Sequence, residues 1–465
     1  MPSLRALVAT WNAATHRHRI ATFAIAIFLV VESVIAIGYR ENDFEWHRNL
    51  GRTFLAGAPY AEGGQWYPLG RAMIDTVPAV LNKYVARGLS YTLAIAALVA
   101  VVRGWGKLAG PQPGNARADW TAALVTFGLS IGLIQRDLDE CGLQILLLFM
   151  LTAGALALRG GRLATAGGWL ALAATYKSTP ILFLPFLLWK RQWRAATWMA
   201  LVVVALNVAP AMYLGTSTML YGNRLFLTQT WLISQLPDPT QNGVERAKAQ
   251  NQSLVAVGAR YLMTFDSHHP AYVDHPGYLQ FGRHSGESAT RIIKVGLMLF
   301  AVALAWRCRP TSSDFANSDF ANQWAVVCAL CTLLAPLCWK QHLVLTLPCL
   351  FLSIRAELDP QLRSKWRIAT LVFIAVLMMG TGRELIGRDL SHLLSSYKIH
   401  ALAALMSMGL VLTIRSRSLP LPLPPRSRAM PKPQWLTRRA SAKHMAGHAP
   451  DSQDERPSSV GRARS

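Results

Sequence analysis

Charged residues are scarce in this chain. They make up 15% of its 465 residues, whereas soluble domains contain roughly 25%. Hydrophobic residues account for 52% and recur in runs separated by a few charges. This pattern is typical of a polytopic membrane protein and excludes an ordinary soluble domain.

Acidic residues are also few, which leaves a formal net charge of +23. A strongly basic chain can bind nucleic acid. Here, however, Lys and Arg lie mostly in short segments between apolar runs and in the C-terminal tail, as topology determinants do. No soluble domain offers a basic face, so we expect no nucleic-acid partner.

Nucleotide-binding motifs and internal repeats are missing as well. The sequence has no Walker motif and no Gly-rich dinucleotide turn. Without them, and without a soluble domain to hold a nucleotide, the sequence gives no sign of a nucleotide-binding site.

Cysteine and histidine are present but not at the spacing of metal ligands. Cys328 and Cys331 form a CxxC inside an apolar run, with no second Cys/His pair at zinc-finger spacing. The loop histidines are irregularly spaced and are interpreted as loop surface. We expect no cofactor and leave a divalent metal ion open. The six cysteines are Cys141, Cys308, Cys328, Cys331, Cys338 and Cys349, and the loop histidines are His268, His269, His275 and His284.

Twelve apolar runs are candidate membrane helices. The first, 20–37, follows basic residues and is not followed by an A-x-A cleavage site, so it is interpreted as an uncleaved signal anchor. Several runs are shorter than the ideal of about 20 residues, and some are expected to be half-length. The remaining runs are 88–102, 119–135, 142–158, 163–176, 178–189, 195–213, 292–306, 323–338, 342–354, 367–381 and 399–414.

Alternate connections carry the basic residues, and this places both termini in the cytoplasm. Residues 1–417 are expected to form an integral membrane domain. Residues 418–465, rich in Pro, Ser and Arg, are expected to be a disordered basic cytoplasmic tail. The outer connections are 39–87, 136–140, about 214–290, 334–344 and the segment around 383–392.

The first outer connection is unusually rich in charged and aromatic side chains. Asp43 is our candidate for a catalytic carboxylate, with Glu41 and Glu45 as local competitors. The alternative is that Asp43 caps the helix-like segment that follows it. Ionisable groups at helix ends on one side of a membrane indicate a shared wet cavity.

Four segments, in this order, resemble glycosyltransferase family 87. They are DFEWHRNLGRTFLAGAPYAEGGQWYPL, GRLATAGGWLALAATYKSTPILFLPFLLWKRQWRAA, NQSL and APLCWKQHLV, spread over about 40–355. The chain departs from the family pattern at Leu69, where a second proline is common, and at ECGLQ, where Gly-Gln-x-Asn is common. A role for Gln144 is therefore not carried over.

The resemblance implies an all-α polytopic bundle of the GT-C type, with about 12 transmembrane helices and helical outer loops. It also implies a hexosyltransferase, most often a mannosyltransferase, of the cell (plasma or inner) membrane, active at the outer face. The donor would be a polyprenyl-phosphate sugar and the acceptor a glycolipid or glycan. Transfer would invert the anomeric carbon in one displacement, so a single base, Asp43, would suffice.

Each further site residue has a functional and a structural interpretation. Lys177 and His342, with Lys340 and Arg260 as alternative cations, would contact the phosphate; a snorkelling lysine or a buried structural histidine is the alternative. Asn251 and Ser253 would bind sugar hydroxyls or cap a helix. The aromatic residues Trp46, Trp66, Tyr67 and Trp339 would stack on the sugar or belong to an interfacial belt.

Two other functions stay open at this point. A transporter or flippase of lipid-linked sugars is the main alternative, although such proteins tend to show inverted repeats. A membrane scaffold that has lost its chemistry is the other. Ionisable groups gathered on one side favour the enzyme.

Overall fold

The computed structural model describes residues 15–38, 43–61, 63, 66–110, 116–235, 250–263, 281–310 and 318–414. Over these ranges the chain is helical and has no strand, only an isolated bridge between Met263 and His284. Helices satisfy every backbone polar group within one segment, as a lipid environment requires. The predicted all-α polytopic membrane fold is confirmed.

In the first half of the chain, the connection that carries Asp43 is itself partly helical. The helices of this half are α1 His16–Gly38, α2 Asp43–Leu55, α3 Leu69–Ile74, α4 Thr76–Val80, α5 Lys83–Ala109, α6 Ala116–Leu129, α7 Ile131–Asp139, α8 Leu143–Arg159, α9 Leu163–Tyr176, the 3-10 helix Thr179–Leu182 and α10 Phe183–Trp189.

The second half continues in the same manner, with one further 3-10 segment. Its helices are α11 Trp193–Val208, α12 Ala211–Leu214, α13 Thr216–Gln235, α14 Leu254–Leu262, α15 Gly286–Arg307, α16 Ser318–Leu333, the 3-10 helix Lys340–Thr346, α17 Leu347–Glu357, α18 Lys365–Met379, α19 Arg383–Ile386, α20 Arg388–Ser396 and α21 Ile399–Thr413.

Fewer helices than twelve meet a strict test for crossing a membrane. Within the described ranges four are long and apolar enough: α1, α5, the segment Trp193–Leu214, and α15. The pairs α6–α7 and α20–α21 bend by 67° and 56°, and they raise the number to six if each pair is one span. The other predicted runs form shorter helices, such as Leu143–Arg159, which fits the expected half-length elements.

The α2 helix is amphipathic and lies against the short helices that follow it. Phe44, Leu50 and Phe54 are buried on its inner face. At Gly51 a Cβ atom would fall 2.1 Å from the Asp75 carbonyl oxygen, so only glycine permits this close approach. The packing fixes α2 against the α3–α4 junction and thereby sets where Asp43, its first residue, lies.

Several predictions fall outside the described residues. Among them are the basic tail from residue 418, the competitor Glu41, and the histidines His268, His269 and His275.

Candidate functional site

Asp43 is the first residue of α2, and its side chain is exposed. Its backbone N–H donates to the Glu140 carboxylate with an N–O distance of 2.7 Å. Glu140 directly follows α7, so this bond joins two connections whose residues lie 97 positions apart in the chain. The negative charge of Asp43 acts on the pKa values of His47 and Tyr67, which places all three in one electrostatic neighbourhood.

A buried charge network lies one turn further along α2. Asp75 Oδ2 is 2.8 Å from Arg71 Nε and 3.1 Å from His47 Nδ1, and Arg71 Nη2 is 3.2 Å from the same His47 nitrogen. Burial lowers the pKa of His47, and the charge of Arg71 lowers it further. Burial alone would raise the pKa of Asp75, but Arg71 and His47 hold it below its ordinary value. Asp75 is therefore a carboxylate held by Arg71.

Aromatic rings border this network. The Trp46 and Tyr67 rings are 5.4 Å apart between centroids, and the His47 and Tyr67 rings are 5.2 Å apart. Burial raises the pKa of Tyr67 to about 12, so its hydroxyl stays protonated. The structure thus brings the predicted stacking residues Trp46 and Tyr67 together, whereas Trp66 is exposed.

Arg71 connects this network to Lys177. Its Nη1 donates to the Tyr176 carbonyl at 3.2 Å, and its guanidinium carbon lies 3.7 Å from the centre of the Tyr176 ring. Lys177 follows immediately, and its Nζ donates to Gln144 Oε1 at 3.1 Å. Burial lowers the pKa of Lys177 to about 8, and the charge of Arg71 acts in the same direction. Near neutral pH, Lys177 is still mostly charged.

His342 lies near Lys177, in the 3-10 helix that follows Trp339. The Trp339 backbone N–H donates to His342 Nδ1 at 3.2 Å, and the Leu337 carbonyl lies 3.3 Å from the same nitrogen. Burial lowers the pKa of His342 well below its ordinary value, and the charge of Lys177 lowers it further. The ring is therefore neutral. The two contacts at Nδ1 belong to different tautomers: the ring proton lies on Nε2 when Nδ1 accepts from Trp339, and on Nδ1 when it donates to the Leu337 carbonyl.

Asn251 and Ser253 are engaged with the backbone. Asn251 Oδ1 accepts from the N–H groups of Ser253 and Cys338, both at 3.0 Å, while its Nδ2 donates to the Pro336 carbonyl at 3.0 Å. Ser253 Oγ accepts from the Ala256 N–H at 3.2 Å and caps α14. Asn251 thus braces the turn before Trp339. Binding of sugar hydroxyls by this pair stays a prediction.

The two alternative cations have other surroundings. Arg260 is fully buried, with its guanidinium 4.7 Å from the Tyr397 ring centre and 5.8 Å from that of Tyr261. Lys340 Nζ lies 3.6 Å from where a Cβ on Gly132 would be. Their phosphate roles stay predictions, and the described contacts of Arg260 favour a structural role.

Sequence reasoning did not select Arg71, Asp75 or Glu140 as site residues. The Arg71–Asp75 pair had a detectable signal, because opposite charges four residues apart meet on one helical face. The bond between Glu140 and Asp43 has no local signal, since it joins distant segments. Gln144, to which no role was transferred, is the described partner of Lys177.

Metal ligands do not gather in the part of the chain that the structure describes. There, no group of three or more His, Cys, Asp or Glu residues is arranged to hold a metal ion. All six cysteines lie in the described ranges, where they are buried and form no disulfide.

A family model, Glycosyltransferase family 87, matches residues 66–338 of this chain, more than half its length. The matched region contains Arg71, Glu140, Lys177 and Asn251. Asp43 and His342 lie outside it. No curated protein and no solved structure matches the chain.

Proposed function

The chain belongs to glycosyltransferase family 87, and from this we propose that it transfers a hexose, mannose by family resemblance, from a polyprenyl-phosphate sugar to a lipid-linked or cell-envelope glycan. The proposal includes a GT-C-type bundle that inverts the anomeric centre, with Asp43 as general base. Family membership is the observation that supports glycosyl transfer itself. The support for Asp43 as the base is its position at the start of α2, in one electrostatic neighbourhood with His47 and Tyr67.

The proposed step is a single displacement at the anomeric carbon. An acceptor hydroxyl oxygen attacks that carbon while its proton passes to the Asp43 carboxylate. The bond between the carbon and the phosphate oxygen breaks, and its electron pair leaves with polyprenyl phosphate. One new C–O bond replaces one old C–O bond, so no covalent sugar–enzyme intermediate forms.

Lys177 and His342 are assigned to the leaving phosphate. The phosphate gains negative charge as it departs, and a buried cation stabilises it more than an exposed one does. Lys177 supplies a charge below its pKa of about 8. Neutral His342 supplies an Nε2–H donor in the tautomer whose Nδ1 accepts from Trp339.

The aromatic pair Trp46 and Tyr67 is assigned to the sugar, with Trp339 as a further ring. Sugar rings present apolar faces that stack on aromatic side chains while their hydroxyls bind polar groups. The Trp46 ring lies 5.4 Å from that of Tyr67, beside the helix that begins at Asp43.

The proposed setting is the plasma or inner membrane, with both termini cytoplasmic and the site on the outer face. The support is the alternation of basic connections along the sequence. A polyprenyl-phosphate donor presented at that face suits a site built at helix ends.

The test is transfer from a radiolabelled polyprenyl-phosphate mannose in proteoliposomes. Asp43→Asn should lower kcat by about 10²- to 10⁴-fold, the usual contribution of a general base. Glu45→Gln is the matched control, because Glu45 lies on the same turn but pairs with Arg48 at 2.9 Å and Arg87 at 3.2 Å.

Three results decide the proposal. An inactive Asp43→Asn beside an active Glu45→Gln supports it. Full transfer by Asp43→Asn removes Asp43 from the base role. Movement of the labelled lipid across the membrane, with no transfer by the wild-type protein, favours the flippase alternative.

A further inference from the structure

The turn between α7 and α8 is held in an uncommon conformation. Cys141 and Gly142 both have left-handed backbones, with φ values of 59° and 72°. The Gly142 N–H donates to the Asp137 carbonyl at 2.7 Å, and a Cβ on Gly142 would fall 2.1 Å from the Ala94 Cβ on α5. Left-handed residues persist where the surrounding structure imposes them. This turn therefore holds the residues next to it in fixed positions.

The Asp137 carboxylate also stabilises this turn. It accepts the backbone N–H groups of Gln144 at 3.0 Å and Ile145 at 2.9 Å, which are donors at the start of α8. Those N–H groups have no partner within their own helix, and a carboxylate at this position satisfies them. The turn is thus tied to α7 on one side and to α8 on the other.

Glu140 extends from this turn to the start of α2. Its side chain is 7% exposed, and Oε2 accepts the Asp43 N–H at 2.7 Å. Its ion pair with Arg136 is longer, at 3.5 Å, and the Arg136 side chain is 55% exposed. Exposed ion pairs contribute little, whereas a charged acceptor at a helix N-terminus makes one of the stronger hydrogen bonds. The contact with Asp43 is therefore the main one.

The two carboxylates also act on each other electrostatically. Burial raises the pKa of Glu140, and the negative charge of Asp43 raises it further. Arg136 on α7 acts on the pKa of Glu140 in the opposite direction, and the charge of Asp43 also acts on His47 on α2 and on Tyr67 before α3.

We propose that Glu140 is a positioning residue for Asp43. It fixes the first residue of α2 so that the Asp43 carboxylate meets the acceptor hydroxyl. This inference rests on the proposed function. Nothing in the family match assigns such a role to Glu140, and the bond itself identifies it.

Two substitutions separate the bond from the charge. Glu140→Gln keeps an acceptor oxygen but removes the charge, so kcat should fall less than in Glu140→Ala. Glu140→Ala removes both, and kcat should fall about 10- to 100-fold, as expected for loss of a charged hydrogen bond. Asp139→Asn is the control, because Asp139 is similarly buried and pairs with the same Arg136 at 3.9 Å.

A double variant shows whether Glu140 acts through Asp43. Adding Glu140→Gln to Asp43→Asn should cause no further loss of transfer, because the group being positioned is already disabled. An additional loss comparable to that of the single variant would overturn the proposal.

The remaining outcomes separate this inference from the function beneath it. Wild-type kcat in Glu140→Ala, beside an inactive Asp43→Asn, overturns the role of Glu140 alone. Full activity in Asp43→Asn overturns both. Loss of total activity in Glu140→Ala that only follows loss of folded protein in thermal unfolding, with wild-type kcat per folded molecule, makes Glu140 structural and contradicts the proposal.

Discussion

Two groups of cationic side chains serve different purposes in this fold. Beside the network next to Asp43, Arg71 and Lys177 contact a carboxylate, an aromatic ring and an amide. At the C-terminus of α5, Arg159 donates to the Lys107 carbonyl at 3.1 Å, and Arg355 donates to the Gly110 carbonyl at 2.6 Å as well as pairing with the Asp119 carboxylate. We call these the Asp43 end and the capped end.

The capped end follows from helix physics. The last four carbonyls of a helix have no partner within the helix, and the dipole there is negative. An arginine from a neighbouring helix satisfies both conditions. The same arrangement recurs at other helix ends, where Lys190 donates to the Arg309 carbonyl and Arg307 to the Leu412 carbonyl. Basic residues at helix ends therefore also cap other helices.

The comparison shows that position in the fold, not residue type, decides what a cation contributes. A cap at a partly exposed helix end is worth roughly 0.3–1 kcal/mol. A buried cation whose loss leaves a buried carboxylate costs roughly 3–5 kcal/mol. The predictions below test this difference, beginning with the largest effect.

Arg71→Met should destabilise the protein by about 3–5 kcal/mol, because Asp75 would stay buried without its cation. Thermal unfolding in detergent measures the loss. In the double variant Arg71→Met/Asp75→Leu, part of the stability should return, since no buried charge is left alone. If the single variant unfolds at the wild-type temperature, the distinction between the two ends is not supported.

Lys177→Gln should lower kcat by about 10- to 100-fold if the lysine contacts the leaving phosphate. The pH dependence of activity gives a second test of this role for Lys177. Because its pKa is lowered to about 8 from 10.5, wild-type activity should fall as the pH rises through about 8.

Lys177→Arg should move that basic limb upwards, because arginine keeps its charge. The exposed Lys294 on α15 offers a control, since Lys294→Arg should leave the profile unchanged. An unmoved limb in Lys177→Arg would assign the titration to another group.

Arg159→Ala should have the smallest effect, a loss of about 0.3–1 kcal/mol at the capped end. Transfer activity per folded molecule and the pH profile should match the wild type, because the described hydrogen bonds of Arg159 go to the Lys107 and Leu108 carbonyls of α5. Unfolding and transfer assays on one preparation check both. A changed pH profile would break the separation of the two ends.

Much of the helical architecture follows from hydrophobic runs. The run 163–176 has the same bounds as α9, and the run 399–414 differs from α21 by one residue. The family, glycosyltransferase family 87, and the enzyme class were also predicted from motifs and are confirmed. Long apolar segments can be recognised in a sequence because side chains that contact lipid must be apolar.

Bends and long-range contacts were not predictable in this way. The run 119–135 became α6 and α7, separated at Ser130 and bent by 67°. Hydrophobicity is the same on both sides of such a bend and carries no sign of it. Likewise, Asp43 could be proposed from its own surroundings in the sequence, but its bond to Glu140 depends on how distant helices pack.

The bend at Ser130 has a consequence for biosynthesis. At 1.5 Å per residue, the 14 residues of α6 reach about 21 Å and the 9 residues of α7 about 14 Å, each short of a hydrocarbon core of about 30 Å. Neither piece can hold a place in the bilayer by itself during insertion. We expect this crossing to be completed when α1 and α8 pack against it, so the acidic turn after α7 should take shape as part of assembly.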